Sequence, residues 1–269
     1  MNMTTAIQVN PSIRSLIAVV LSLILVLGMS MAVSADEADA RRLLKAMTEY
    51  MAAQKTLSFK YDAILEVVTT QEQTLALASS GSVTLSRPDK IRATRAGGFA
   101  DVEMLFDGKT LTLLGKNLNI YAQQAVPGTL DHLVDELRFN HDLSLPAADL
   151  LLPDSYEALM HDVIDVKDLG SGVIGGLECD YLAFRTKEVD WQIWIAQGEQ
   201  PYPCRYTITS KSIKGRPQYT VQTRDWTSGD EVVATDFSFR NTSNARKVDL
   251  KNLEGTGELP KHFVLGASK

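Results

Sequence analysis

The run Gly170 to Gly175 reads GSGVIG, the glycine spacing with which a strand, a tight turn and a helix cradle a dinucleotide. That chemistry needs a helix directly after the glycines, because the N–H groups at its start hold the pyrophosphate. Here the chain continues GLECDYLAFR, which alternates like a strand, so a glycine-rich hairpin is expected and a dinucleotide site is not. The histidines His132, His141, His161 and His262 form no HExxH pair, and the first two do not share a helical face. No GxSxG elbow is present. The carboxylates Asp131, Asp135, Glu136 and Asp142 crowd one region, where a solvated acidic face is the simplest reading. No catalytic group, metal or cofactor is expected.

Two features remain. Cys179 and Cys204 are the two cysteines of the chain, and their spacing is neither CxxC nor a zinc knuckle. In an oxidising compartment such a pair is expected to bond. Against this, their strands would be second neighbours in a simple meander, about 9–10 Å apart, and a disulfide needs Cα atoms within about 7 Å. The second feature is DWQIWIAQ, in which strict alternation puts Trp191, Ile193 and Ile195 on one face and Trp194 on the other. Leu182 and Phe184 likewise oppose Cys179 and Tyr181. A sheet loaded on both sides must be covered on both sides or curved around something apolar.

The elements that would position these residues begin after a leader. Arg14 is followed by SLIAVVLSLILVLGMSMAVSA, with no acidic residue before Asp36. Charge, apolar core and small residues in that order are the pattern of a secretory signal peptide, cleaved after Ala35. Export to the periplasm is the expectation, with an uncleaved membrane anchor as the alternative, because the apolar core is long for a signal. The chain carries a formal net charge of −6, and the leader holds one arginine and no acid. An acidic chain without a basic stripe excludes a nucleic-acid partner and disfavours anionic membrane surfaces.

After the leader, Ala40, Leu43, Leu44, Met47, Tyr50 and Met51 keep helical spacing and predict a helix over 37–54. From Leu57 the period becomes two. Two long strands, LSFKYDAILEVVTT and TLALASSGSVTLSRP, are followed by KIRATRA, VEMLF, TLTLLG and LNIYAQQ, with Gly81 expected to mark a bulge. A helical insert interrupts the meander, with one apolar stripe at Leu130, Leu133, Val134 and Leu137. A second helix begins at Asp154, where Glu157 fits a capping box. The meander resumes from VIDVKDLG to VVATDFSFR. The fold class is therefore α+β, mainly β: a curved antiparallel half-barrel of about eleven strands, its concave face plugged by the N-terminal helix and the insert. The division expected is 1–35 signal peptide, 36–250 half-barrel domain and 251–269 C-terminal extension.

This order of elements resembles the LolA/LolB-like fold of periplasmic lipoprotein carriers. More closely, LECDYLAFRTKEVDWQIWI, the Pro201-Tyr202-Pro203 segment and PQYTVQTRDW resemble the DUF2092 family of predicted periplasmic proteins. The resemblance implies an incomplete barrel lidded by helices, which in the carriers shelters acyl chains. It carries architecture over to this chain and not activity. The expectation is a monomeric, non-enzymatic binding protein that shelters a lipid, acyl chain or other apolar ligand. Phe59, Tyr61, Leu77, Met104, Phe106, Trp191 and Trp194 are its candidate lining, and Leu133, Leu137 and Met160 its lid. An envelope regulator or scaffold that binds a protein partner, and a hydrolase whose site converges only in space, are the alternatives.

Overall fold

The computed structural model describes residues 36–140, 147–250 and 253. The expected leader, His141, Asp142, His262 and nearly all of the 251–269 extension lie outside them.

Residues 36–53 form α1. Its buried stripe is Ala40, Leu44, Met47 and Met51, a spacing of three and four that gives one apolar face. The last carbonyls of a helix have no partner within it. Arg87 supplies one here: its Nε donates to Gln54 O at 3.1 Å and its Nη2 to Met51 O at 3.4 Å.

Six antiparallel strands follow: β1 (Thr56–Val68), β2 (Thr74–Ser86), β3 (Lys90–Gly97), β4 (Asp101–Phe106), β5 (Thr110–Gly115) and β6 (Ile120–Ala125). The insert holds α2 (Leu130–Asp135), a π-helical turn at Glu136–Asn140, a 3-10 turn at Ala148–Leu151 and α3 (Ser155–Met160). Five more strands run from β7 (Asp165–Ile174) through β8 (Leu177–Arg185), β9 (Val189–Ala196) and β10 (Pro203–Ser210) to β11 (Gln218–Ser228). A short β12 (Arg246–Lys247) pairs parallel to β6. All twelve lie in one sheet, ordered β12-β6-β5-β4-β3-β2-β1-β11-β10-β9-β8-β7.

The ends of this sheet never meet, so the barrel is open between β12 and β7. Its curvature is evident from the core: Ile91 on β3 and Trp191 on β9 belong to one buried cluster with Leu44 and Met47 of α1 and Leu133, Leu137 and Leu159 of the insert. Because the insert leaves β6 and returns as β7, it has to cross between the two margins of the sheet. Its Leu133, Leu137 and Leu159, in one cluster with Ile91, Trp191 and α1, place that crossing over the concave side.

Several sequence expectations need correction. No strand forms over 232–240. Residues 229–245 instead run across the outer face of β3–β6, where Phe239 packs on Tyr121 with ring centroids 4.7 Å apart. Arg92 donates there to Asp236 O at 3.5 Å. Under this strap Leu105 and Thr112 are buried, and the Glu103 carboxylate lies between Arg92 at 2.6 Å and Lys116 at 3.1 Å. Gly81 marks no bulge, since its register with both neighbours is continuous. Its lack of a side chain serves a close approach: a Cβ there would sit 1.9 Å from Thr94 O and 2.7 Å from the Tyr61 ring. The capping box at α3 also fails, because the Asp154 side chain makes no cap hydrogen bond. The GSGVIG run lies in β7, and Gly175 and Gly176 turn the chain into β8 with positive φ, so the hairpin reading holds.

Candidate functional site

Cross-strand neighbours in an antiparallel sheet share a face, so the register defines rows of inward side chains. Nearest the end of α1, one row runs Leu57, Leu85, Ile91, Phe106, Leu111. The next is Phe59, Val83, Ala93, Met104, Leu113, and the third Tyr61, Gly81, Arg95, Val102. Beyond them lie Ala63 with Ser79, then Leu65 with Leu77.

The first row holds the most deeply buried side chains. Leu57, Leu85 and Phe106 are 0% exposed and Leu111 1%, covered by α1. Met104, Leu113, Tyr61, Leu65 and Leu77 point to the same concave side and are only half-buried. On the far half of the concave face these half-buried apolar side chains stand among the buried Ala63 and Val67 and the polar Ser79 and Arg95. Tyr61 Oη donates to Thr94 O at 3.0 Å, which fixes the ring over Gly81. On the opposite wall Trp191 is 3% exposed, stacked on Phe184 at 3.9 Å and edge-on to Tyr206 at 5.8 Å.

The expected lining residues Phe59, Tyr61, Leu77, Met104, Phe106 and Trp191 therefore share the concave face, with Phe59, Phe106 and Trp191 packed as core. Trp194 does not join them. It stacks on Tyr181 at 4.3 Å on the outer face, with the Arg205 guanidinium 5.9 Å from its ring centre. Leu133 and Leu137 are buried against the concave core, and Met160 packs on it half-buried. Sequence reasoning missed Arg95, Leu65 and Leu113 on this face. The signal for Arg95 was present in KIRATRA, where alternation puts it on the face of Ile91 and Ala93.

The insert is anchored by polar contacts. Arg138 Nη1 meets Asp149 Oδ1 at 2.8 Å. The acidic cluster is less solvated than its composition suggests, for Asp131 Oδ1 is buried with no hydrogen-bond partner. Burial, and then the Asp154 carboxylate, push the Asp131 pKa up, while Arg87 opposes them. Among the described residues no set of three His, Cys, Asp or Glu side chains converges as a metal site.

At the far end, Asp190 gathers Arg185 at 2.8 Å, Arg216 at 2.7 Å and Lys211 at 3.9 Å. These contacts tie β8, β9 and the β10–β11 loop together. The hydrogen bond from Arg185 is the main reason the Asp190 pKa lies below the usual carboxylate value. A depressed pKa stabilises the fold above the unfolded value of about 3.9 and ceases to do so as pH falls through the folded one. Asp190→Asn is therefore expected to cost roughly 1 kcal/mol at neutral pH. The gap from wild type should close on acidification, read by urea titration at a series of pH values. A gap that stays constant would remove Asp190 from the acid response.

Cys179 and Cys204 lie at 0% and 2% exposure beside Ala196. Cys179 Sγ donates to Leu177 O at 3.5 Å and Cys204 Sγ to Tyr202 O at 3.9 Å, and both thiols are free.

Among solved structures, the chain is similar to LprF from Mycobacterium bovis, with 12% identity over 76% of this chain and 99% of that one, at a TM-score of 0.46. The Mycobacterium tuberculosis lipoprotein LppX is 13% identical over 74% of this chain and 100% of its own, at 0.38. The Pseudomonas aeruginosa MucA/MucB complex is 12% identical over 72% and 59%, at 0.40. No curated protein matches the chain. Residues 40–251 match one family model, and the chain belongs to that family, the predicted periplasmic proteins of DUF2092.

Proposed function

We propose that this protein is an exported, non-enzymatic binding protein that shelters an apolar chain, such as the acyl chain of a lipid, on the far half of its concave face. The observation that carries this reading is the contrast on the concave face between Phe106, at 0% exposure, and the half-buried Met104, Leu113, Leu65 and Leu77. A face made only for packing gains by being covered throughout, at about 25 cal/mol for each Å² of apolar surface removed from water. A ligand chain laid over these rows would recover that term, at about 0.8 kcal/mol per buried methylene. Leu133, Leu137 and Met160 of the insert form the opposing wall, and their movement relative to the sheet is the gate.

The test is solvent extraction of the protein purified from the exported fraction, followed by mass spectrometry of the extract. Wild type is expected to release lipid in near-stoichiometric amount. Met104→Trp fills the unfilled rows and is expected to lower the recovered lipid about tenfold, since one lost ligand contact of about 1.4 kcal/mol has that effect. Absence of lipid in wild type, with no apolar ligand raising the thermal midpoint, would overturn the reading. The protein-partner alternative would then stand.

A further inference from the structure

β2 has 13 residues and β3 has 8, and their pairing begins at Ser79 with Gly97. Residues 74–78 therefore run past the end of β3 while staying paired to β1. The hairpin at their start fixes which backbone groups they leave over. Thr69 N–H donates to Gln73 O at 2.9 Å, so that pair is hydrogen-bonded and the ladder alternates from it. Leu75 and Leu77 turn their N–H and C=O groups to Val67 and Leu65 of β1. Thr74 and Ala76 turn theirs the other way, to the side of β3, where no described residue pairs with them. Both residues are exposed.

Beside this edge lies a groove of about 280 Å³, lined by Ala76, Leu77, Ala78, Gly97, Gly98 and Ala100 among others. That volume is at the small end for a ligand pocket and suits a side chain or two of a larger partner. The two margins of the sheet are defended against stray strands. β7 carries the Lys167–Asp165 ion pair, a register break between Asp168 and Ser171, and Gly170 with positive φ. β12 has only two residues. Charges, bulges and shortness are the devices that keep an edge from pairing. The overhang has none of them: Thr74 to Ala78 reads TLALA, without charge, glycine or proline.

We infer that this overhang docks a short extended segment of another polypeptide, which adds antiparallel to β2 on the line that β3 vacates. Alternating N–H and C=O groups at strand spacing are matched by a polypeptide backbone and not by an acyl chain. Main-chain bonds to Thr74 and Ala76 hold the segment, and the side chain opposite Leu77 enters the groove, the division of labour usual in strand addition. Its residues opposite Thr74 and Ala76 lie on the outer face, where the small Ala76 side chain tolerates most types. The segment stops or bends at Gly98, because the β3–β4 turn closes the line there, with Gly97 N–H donating to Ala100 O at 2.8 Å. This site is independent of the acyl-chain reading, and either can fail without the other.

The experiment titrates the full chain against fluorescein-labelled peptides Lys-Thr-X-Thr-X-Thr-Lys, with X leucine or glycine, followed by anisotropy. The leucine peptide is expected to bind about tenfold or more tightly than the glycine peptide. Methylating the backbone nitrogens of its threonines, which face β2, should weaken it about tenfold or more. Methylating those of its leucines, which face away, should leave affinity nearly unchanged. Ala76→Pro removes the N–H on the docking side, where an edge tolerates proline, and should cost about tenfold in affinity. Should that variant fail to fold, the two methylated peptides still decide. Equal effects of the two methylation patterns would overturn strand addition, and no binding by either peptide would overturn the docking site. Concentration-dependent self-association that Ala76→Pro abolishes would assign the edge to a second copy instead and overturn the foreign segment.

Discussion

Replacing Trp191 by alanine lowers the unfolding free energy by about 3–5 kcal/mol, whereas the same change at Trp194 costs about 1–2 kcal/mol. At about 2–4 °C per kcal/mol for a domain of this size, the first variant melts roughly 10 °C below wild type. The two residues are three apart on one strand, so composition and strand propensity do not distinguish them. Their surroundings do. Trp191 is 3% exposed in the concave core, between Phe184 and Tyr206, and its truncation leaves a cavity that α1 and the insert would have to collapse into. Trp194 is half-buried on the outer face, where it keeps Tyr181 on one side and Arg205 nearby. Water can fill the space it leaves. Thermal melts of both variants check the order, and a larger loss for Trp194→Ala would mean that the faces are reversed. Binding gives a second readout. With Trp226 replaced by phenylalanine, an apolar ligand should shift the emission of Trp191 and leave that of Trp194 unchanged.

The tryptophan pair also shows what the sequence made legible. Alternation separated Trp191 from Trp194 correctly and implied covering on both sides of the sheet. It could not say which side was concave, because both faces carry aromatics. The register decides this by setting Trp191 beside Ile208, and Ile193 beside Tyr206, in the cluster that α1 closes. What covers the outer face was misread for a similar reason. VVATDFSFR alternates well enough to read as a strand, yet the position beside β6 is taken by Arg246 and Lys247. Phe239 is used instead as a side chain on Tyr121. Short-range pattern does not encode which edge a late segment reaches. Arg95 was missed because a single cation on a mostly apolar strand face has no pattern of its own, and only the register, which sets it between Gly81 and Val102, assigns it to the concave side.

A bond between Cys179 and Cys204 is the second large effect, expected when the chain folds in an oxidising compartment. The meander argument against it assumed an unbroken β9 between the two cysteines. In the fold, Cys179 pairs with Ala196, the last residue of β9. Pro203 pairs with Ile195 and Arg205 with Trp194, which leaves Cys204 as an extra residue in a bulge. A bulged residue is re-aimed relative to its strand, and here Cys204 lies in one buried cluster with Cys179 and the small Ala196. Burial pushes the pKa of both thiols up, and only a thiolate attacks a disulfide. The folded dithiol should therefore oxidise slowly, and the bond should form by exchange with a disulfide-bearing oxidoreductase before β10 docks. The two thiols give up two protons and two electrons, and the donor disulfide becomes a dithiol. Closing a loop of about 25 residues is worth about 3.5 kcal/mol in the chain-entropy model, or roughly 10 °C in melting temperature. The same residues, 36–269, expressed with an export leader and without one are expected to differ by the mass of two hydrogens under non-reducing conditions. Reductant should lower the melting temperature of the exported form alone, towards that of a Cys179→Ala, Cys204→Ala double variant. Two free thiols in the exported protein would reject the pairing and leave the cysteines as small packing residues around Ala196.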